Sequence, residues 1–198
     1  MPQPSAICVY CGANSGSHPE YASLAQAFGA ELARRGISLV YGGGKVGLMG
    51  VLADAALAGG GKVIGVIPRQ LVEHERAHPK VSEMHVVETM HQRKTRMSEL
   101  ADAYVALPGG FGTMDEIFEM MTWAQLDLHQ HPCAFLDTRD YYRALRDMLD
   151  HMADEDFLGR DQRDAVWFGD SIPALFTWLE HYDSSGVARL KPRQRIQP

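Results

Sequence analysis

Seven short apolar runs rich in β-branched residues recur along the chain, at 6–10, 37–41, 62–67, 84–88, 103–107, 133–137 and 165–168. Between them lie longer stretches in which apolar residues return with a helical period, at 19–35, 48–58, 90–101, 113–128, 140–152 and 171–181. The runs are continuous rather than alternating, which predicts strands buried on both faces, as in parallel β-α-β units. The expected fold is therefore α/β, a Rossmann-like doubly wound parallel sheet with helices on both faces. One catalytic domain is expected over residues 1–183. Residues 184–198 are polar and basic (Arg189, Lys191, Arg193, Arg195) with two prolines, the pattern of a loose tail.

Composition narrows the function classes. The 198 residues suit one core, and 45% hydrophobic with 22% charged residues is ordinary for a globular protein. A formal net charge of −6 argues against a general nucleic-acid surface but not against a small phosphorylated ligand, which needs only local donors. No apolar run has the length of a membrane span, and the first residues lack a signal pattern, so a cytoplasmic protein is expected. Three cysteines do not make a disulfide framework; Cys8 and Cys11 form a C-x-x-C inside an apolar strand and read as core residues.

Ligands of doubly wound sheets bind at the carboxyl ends of the strands, so the glycine-rich strand-to-helix loops carry the chemistry. Leu107-Pro-Gly-Gly-Phe-Gly-Thr-Met-Asp-Glu116 follows a strand and opens a helix whose Met114, Ile117, Phe118 and Met121 are spaced for the core. Gly109, Gly110 and Gly112 allow positive φ and close approach, Thr113 suits a cap, and the first-turn N–H groups then face an anion. A first-turn glutamate ordinarily complements the helix dipole. Beside a phosphate loop, however, Glu116 is tolerable only if it addresses the sugar, while Asp115 and Glu119 read as surface charges.

The loop Tyr41-Gly-Gly-Gly-Lys-Val-Gly-Leu-Met-Gly50 satisfies G-x-G-x-x-G, but the acidic residue of a dinucleotide site is missing after the next strand. It reads as tight packing beside the ligand, with NAD the weaker alternative. His74-Glu-Arg-Ala-His78 matches H-E-x-x-H, yet the segment is polar throughout and ends at Pro79, so it does not read as a zinc helix. Glu75 remains a candidate as an isolated carboxylate. His91-Gln-Arg-Lys-Thr-Arg96 places cations at a helix start, against the dipole, which implies acidic or anionic partners nearby. Arg93 is the preferred site residue because a guanidinium makes fixed, forked bonds to oxygen.

Taken together, Tyr41-Gly-Gly-Gly, Gly47-Leu-Met-Gly50, Met90-His-Gln-Arg-Lys94, Pro108-Gly-Gly-Phe-Gly-Thr-Met-Asp-Glu116 and Thr122-Trp-Ala-Gln125 resemble the LONELY GUY family, cytokinin riboside 5′-monophosphate phosphoribohydrolases. The resemblance runs from about Ile7 to Leu179. It implies a homodimer that hydrolyses the N-glycosidic bond of an N6-modified adenosine 5′-monophosphate to free base and ribose 5-phosphate, with no cofactor or metal. It implies catalytic roles for Arg93 and Glu116. It further implies substrate contacts at Glu75, Lys94, Gly109, Gly110, Phe111, Gly112, Thr113, Met114, Asp115 and Thr122, with Gly43 and Gly44 in the first glycine loop. The run 72–85 departs most from the family pattern and leaves base preference open.

Breaking an N-glycosidic bond builds positive charge on the ribose. Glu116 would stabilise that charge or orient water, and Arg93 would position the nucleotide or assist departure of the base; the sequence does not separate these roles. A broader nucleosidase acting on AMP, and a non-catalytic nucleotide-binding or carrier protein, are the competing expectations. A decarboxylase would require a pyridoxal phosphate lysine, for which no motif is present.

Overall fold

A computed structural model describes residues 3–186. Seven strands alternate with helices in the order β1 (Ala6–Tyr10), α1 (Pro19–Arg34), β2 (Ser38–Tyr41), α2 (Gly47–Ala58), β3 (Val63–Pro68), β4 (Glu83–Val87), α3 (Met90–Glu99), β5 (Ala103–Ala106), α4 (Phe111–Gln125), β6 (Cys133–Leu136), α5 (Arg143–Asp154), α6 (Arg160–Asp164), β7 (Val166–Gly169) and α7 (Ile172–His181). All strand pairs are parallel, in the spatial order β4-β3-β2-β1-β5-β6-β7. This is the doubly wound sheet that the apolar runs predict. Short α6 is an addition: five mostly charged residues carry no readable period. Most of the tail lies outside the described residues; Ser184–Gly186 form a single 3₁₀ turn.

Successive residues of β1 point to opposite faces, and both faces are buried. Ile7, Val9 and Cys11 join a core with Phe28 and Leu32 of α1, Leu52 of α2 and Phe176 of α7. Cys8 and Tyr10 join a second core with Met97 of α3 and with Ile117 and Met120 of α4. The C-x-x-C is thereby split across the sheet. Cys8, Cys11 and Cys133 are free and buried, and burial pushes their thiols up, which keeps them protonated and inert.

Local chemistry starts the helices. Pro19 opens α1, a Thr89–Gln92 capping box opens α3 and the Ser171 side chain caps α7. Two helix starts differ from expectation. The cap of α4 is Gly110, not Thr113, whose side chain is buried inside the first turn. Helix α5 begins at Arg143 because Arg139 and Asp140 take left-handed φ values of 61° and 55°, which no helix accommodates. Among the described residues no helix is long and apolar enough to cross a membrane.

Candidate active site

The chain runs outward from β1 through β2, β3 and β4, then crosses back to place β5 on the other side of β1. The loops after β1 and β5 therefore diverge and leave a crevice between them, the switch point where such sheets hold ligands. Gly12 stitches the crevice together: its N–H donates to Pro108 O (3.1 Å) and its carbonyl accepts from Leu48 N (3.0 Å). A cavity of about 430 Å³ opens here, within the roughly 300–1,000 Å³ usual for small-molecule sites. One wall is the β1–α1 loop from Cys11 to Gly16; the facing wall is Pro108, Gly109, Gly110, Gly112 and Thr113. Glu75, Arg93, Asp115 and Glu116 bring charge to it, and Tyr21 and Tyr141 stand at its side.

Arg93 is buried, from the first turn of α3. Its Nε donates to Val66 O (3.2 Å), and one terminal nitrogen donates to Gly42 O (2.8 Å) and to Glu75 Oε2 (3.1 Å). The guanidinium is thus locked across the ends of β2 and β3. This explains Gly42, which the sequence marks only as the first glycine of the G-x-G-x-x-G: a Cβ there would lie 2.1 Å from an Arg93 nitrogen. The acidic partners implied by the cations at the start of α3 are present. Glu75 pairs with Arg93, while Asp115 and Glu119 each approach Lys94 Nζ at 3.1 Å. Burial pulls Lys94 down, but those two carboxylates outweigh it and its pKa is raised. Asp115 and Glu119 are therefore ion-pair partners of Lys94: Asp115 is the exposed surface charge expected, at 60% exposure of its side chain, whereas Glu119 is mostly covered.

Among the described residues Glu116 has no such ion-pair partner. Removal from water raises its pKa to about 7. The positive Arg93 pulls the other way, the negative Glu75 and Asp115 add to the rise, and Lys94 opposes it. A carboxyl poised near neutrality in a cavity is suited to proton transfer or to meeting developing positive charge.

The glycine loop works by close approach rather than by unusual φ. Gly109, Gly110 and Gly112 are not among the positive-φ glycines, contrary to the sequence expectation. A Cβ on Gly109 would lie 2.0 Å from Thr113 Oγ1, whereas one on Gly110 or Gly112 would meet nothing within 4 Å. The latter two keep space open in front of the helix start, where the first-turn N–H groups have no intrahelical partners.

Several residues of the expected set stand elsewhere. Gly43 packs against Met84 and Ile67, and Gly44 packs against Glu75 and bridges to Ala77, so both support the wall from behind. Phe111 is 97% exposed and Met114 packs toward the core. Thr122 donates to Phe118 O (2.8 Å) and borders a separate apolar groove with Met121 and Phe157. Lys94 touches the cavity only through Asp115. The β1–α1 loop, Gly12-Ala-Asn-Ser-Gly-Ser-His18, and Tyr21 and Tyr141 were not anticipated; the two glycines of that loop were overshadowed by the richer glycine loops, although its position after a strand was itself a signal.

The H-E-x-x-H segment forms turns, with no helix to align its histidines. His78 is buried, its Nε2 3.1 Å from Asp54 Oδ1 and its Nδ1 accepting from Lys80 N (3.2 Å).

Fold and cavity together define a doubly wound α/β protein with a cavity at its switch point, lined by a glycine-rich helix start, a locked guanidinium and three carboxylates. A family described as "Possible lysine decarboxylase" matches residues 49–179. A cytokinin riboside 5′-monophosphate phosphoribohydrolase of Rhodococcoides fascians is 48% identical over 166 residues, 83% of this chain and 84% of the relative. A protein of Oryza sativa subsp. japonica named as a probable enzyme of the same kind is 43% identical over 179 residues, 90% of this chain and 80% of the relative. The chain belongs to this LONELY GUY family of phosphoribohydrolases.

Among solved structures, the molybdenum cofactor binding protein of Rippkaea orientalis superposes with a TM-score of 0.68 at 20% identity, over 91% of this chain and 98% of that one. That likeness is one of fold. The decarboxylase description does not fit the residues present: pyridoxal phosphate needs a lysine for its Schiff base, and the lining of the cavity, among the described residues, includes none.

Proposed function

We propose that this protein hydrolyses the N-glycosidic bond of an adenosine 5′-monophosphate, N6-modified in the cytokinin-activating reaction, to the free base and ribose 5-phosphate. The observation that carries the reading is the meeting of Arg93, Glu116 and the Gly109–Thr113 loop in one cavity, in a chain whose relatives bear that enzyme's name. The helix start offers N–H donors to the 5′-phosphate. As the bond from C1′ to the base nitrogen lengthens, positive charge develops on the ribose. Ionised Glu116 stabilises that charge and orients the water that adds to C1′, while the departing base carries the electron pair and takes a proton. Arg93, held by Gly42, Val66 and Glu75, fixes the nucleotide and offsets the negative charge gathered around it.

The protein is further proposed to act in the cytoplasm as a homodimer. Met120 and Trp123 of α4 offer no surface for association, since Met120 is fully buried and Trp123 packs on the same core. Better support comes from Leu128 (67% exposed) and Phe157 (86% exposed), apolar side chains that a monomer leaves in water. Light scattering tests this, with an active monomer as the contrary result. Product chromatography with a panel of nucleosides and their 5′-monophosphates tests the reaction. Release of base from the monophosphates alone is expected; equal turnover of nucleoside and nucleotide would remove the phosphate anchor from the mechanism.

A further inference from the structure

The glycine loop after β5 is gripped from outside by the turn between β6 and α5. The Tyr141 hydroxyl donates to Gly109 O at 2.5 Å, and the Tyr142 hydroxyl donates to Leu107 O at 2.6 Å. Asp137, just past β6, accepts from the backbone N–H groups of Tyr141 (2.9 Å) and Tyr142 (3.0 Å), which fixes both rings' starting points. Between them Arg139 and Asp140 hold left-handed φ values, a conformation that ordinary residues adopt only under constraint.

The two tyrosines differ in what else they do. Tyr142 is a core residue, 2% exposed, with its ring edge-on to Phe135 at 4.9 Å. Tyr141 is 43% exposed and lines the cavity, edge-on to Tyr21 at 5.8 Å. Core packing therefore does not account for Tyr141.

We infer that Tyr141 is a positioning residue for the phosphate loop, holding the Gly109 carbonyl so that the Gly110 N–H is presented in one fixed direction. The inference rests on the nucleotide reading above. No peptide bond among the described residues is cis, and in a trans peptide the carbonyl and the following N–H point opposite ways. Anchoring Gly109 O thus sets the direction of the Gly110 donor. Packing does not do this, since a Cβ on Gly110 would meet nothing within 4 Å.

Tyr141→Phe removes the hydroxyl and keeps the ring. The KM for AMP and the calorimetric Kd for ribose 5-phosphate should each rise roughly tenfold, the worth of one oriented hydrogen bond. The kcat should stay within about twofold, the melting temperature within about 1 °C and inhibition by adenine unchanged, because the rest of the site is untouched. Unchanged KM and Kd overturn the inference, as does an equal weakening of adenine and ribose 5-phosphate. A wild-type protein that binds ribose 5-phosphate but hydrolyses no nucleotide overturns the proposed reaction alone, and the binding contrast still decides the role of Tyr141. Absence of ribose 5-phosphate binding by the wild type overturns both.

Discussion

Glu116→Gln should make the ligand-free protein more stable and less active, and its effect on stability should depend on pH. The ordinary value for a glutamate is 4.5, and burial raises Glu116 to about 7. Through that window the native side chain holds a proton that the unfolded one has released. Stability therefore falls as pH rises from about 4.5 to about 7, and the loss is complete above. At about 1.4 kcal/mol for each tenfold in proton affinity, the loss is at most about 3 kcal/mol at pH 8 and about 1 kcal/mol at pH 5. Those are upper figures, because the carboxyl borders an open cavity whose water screens it.

Glutamine cannot ionise and escapes the loss. For a chain of this length the variant should melt up to about 6–12 °C above wild type at pH 8, and only up to about 4 °C above at pH 5. Differential scanning calorimetry of both proteins without ligand, from pH 5 to pH 8, measures the contrast. In parallel, turnover should fall by about 10²–10⁴-fold while AMP affinity changes little. The wild-type kcat/KM should climb through about pH 7 as Glu116 ionises, a limb the variant lacks. A melting difference independent of pH, or a variant less stable than wild type at pH 8, refutes the desolvation argument. Near-normal turnover refutes the catalytic assignment.

Arg93→Ala should weaken AMP binding as well as turnover, since it removes a cation and leaves Glu75 unpaired beside an anionic ligand; calorimetry beside steady-state rates separates it from Glu116→Gln. Gly42→Ala should reproduce much of the Arg93→Ala defect in kcat/KM, because its Cβ would displace the guanidinium; wild-type kinetics would show that Arg93 can move without loss. Chelation with EDTA should leave activity intact, and loss of activity restored by zinc would return the His74–His78 segment to the chemistry. His78→Ala should spare the chemistry but cost about 1–3 kcal/mol of stability by emptying the buried space its ring fills and removing its two hydrogen bonds, measured by urea denaturation.

The sequence by itself determined the strands and, α6 apart, the helices, because strand and helix periods are local. The run at 6–10 is β1 residue for residue, and the other strands fall within one residue at most of their ends. The glycines before Glu116 and the cations around Arg93 were likewise readable, since a strand, a glycine turn and a helix start form a contiguous unit. What remained hidden depends on residues far apart in the chain. The β1–α1 loop becomes a wall only because β1 pairs with β5, and strand order leaves no trace in local periodicity. Gly42 looked like one more glycine until Arg93, 51 residues away, claimed its carbonyl. Gly43 and Gly44 shared its motif yet turned to the far side of the wall. Tyr141 reached the site through a bond to Gly109, 32 residues earlier. The proton affinity of Glu116 is the clearest case: its type and place in the helix were written in the sequence, but desolvation and the summed field of Arg93, Glu75, Asp115 and Lys94 exist only once the tertiary structure brings those groups together.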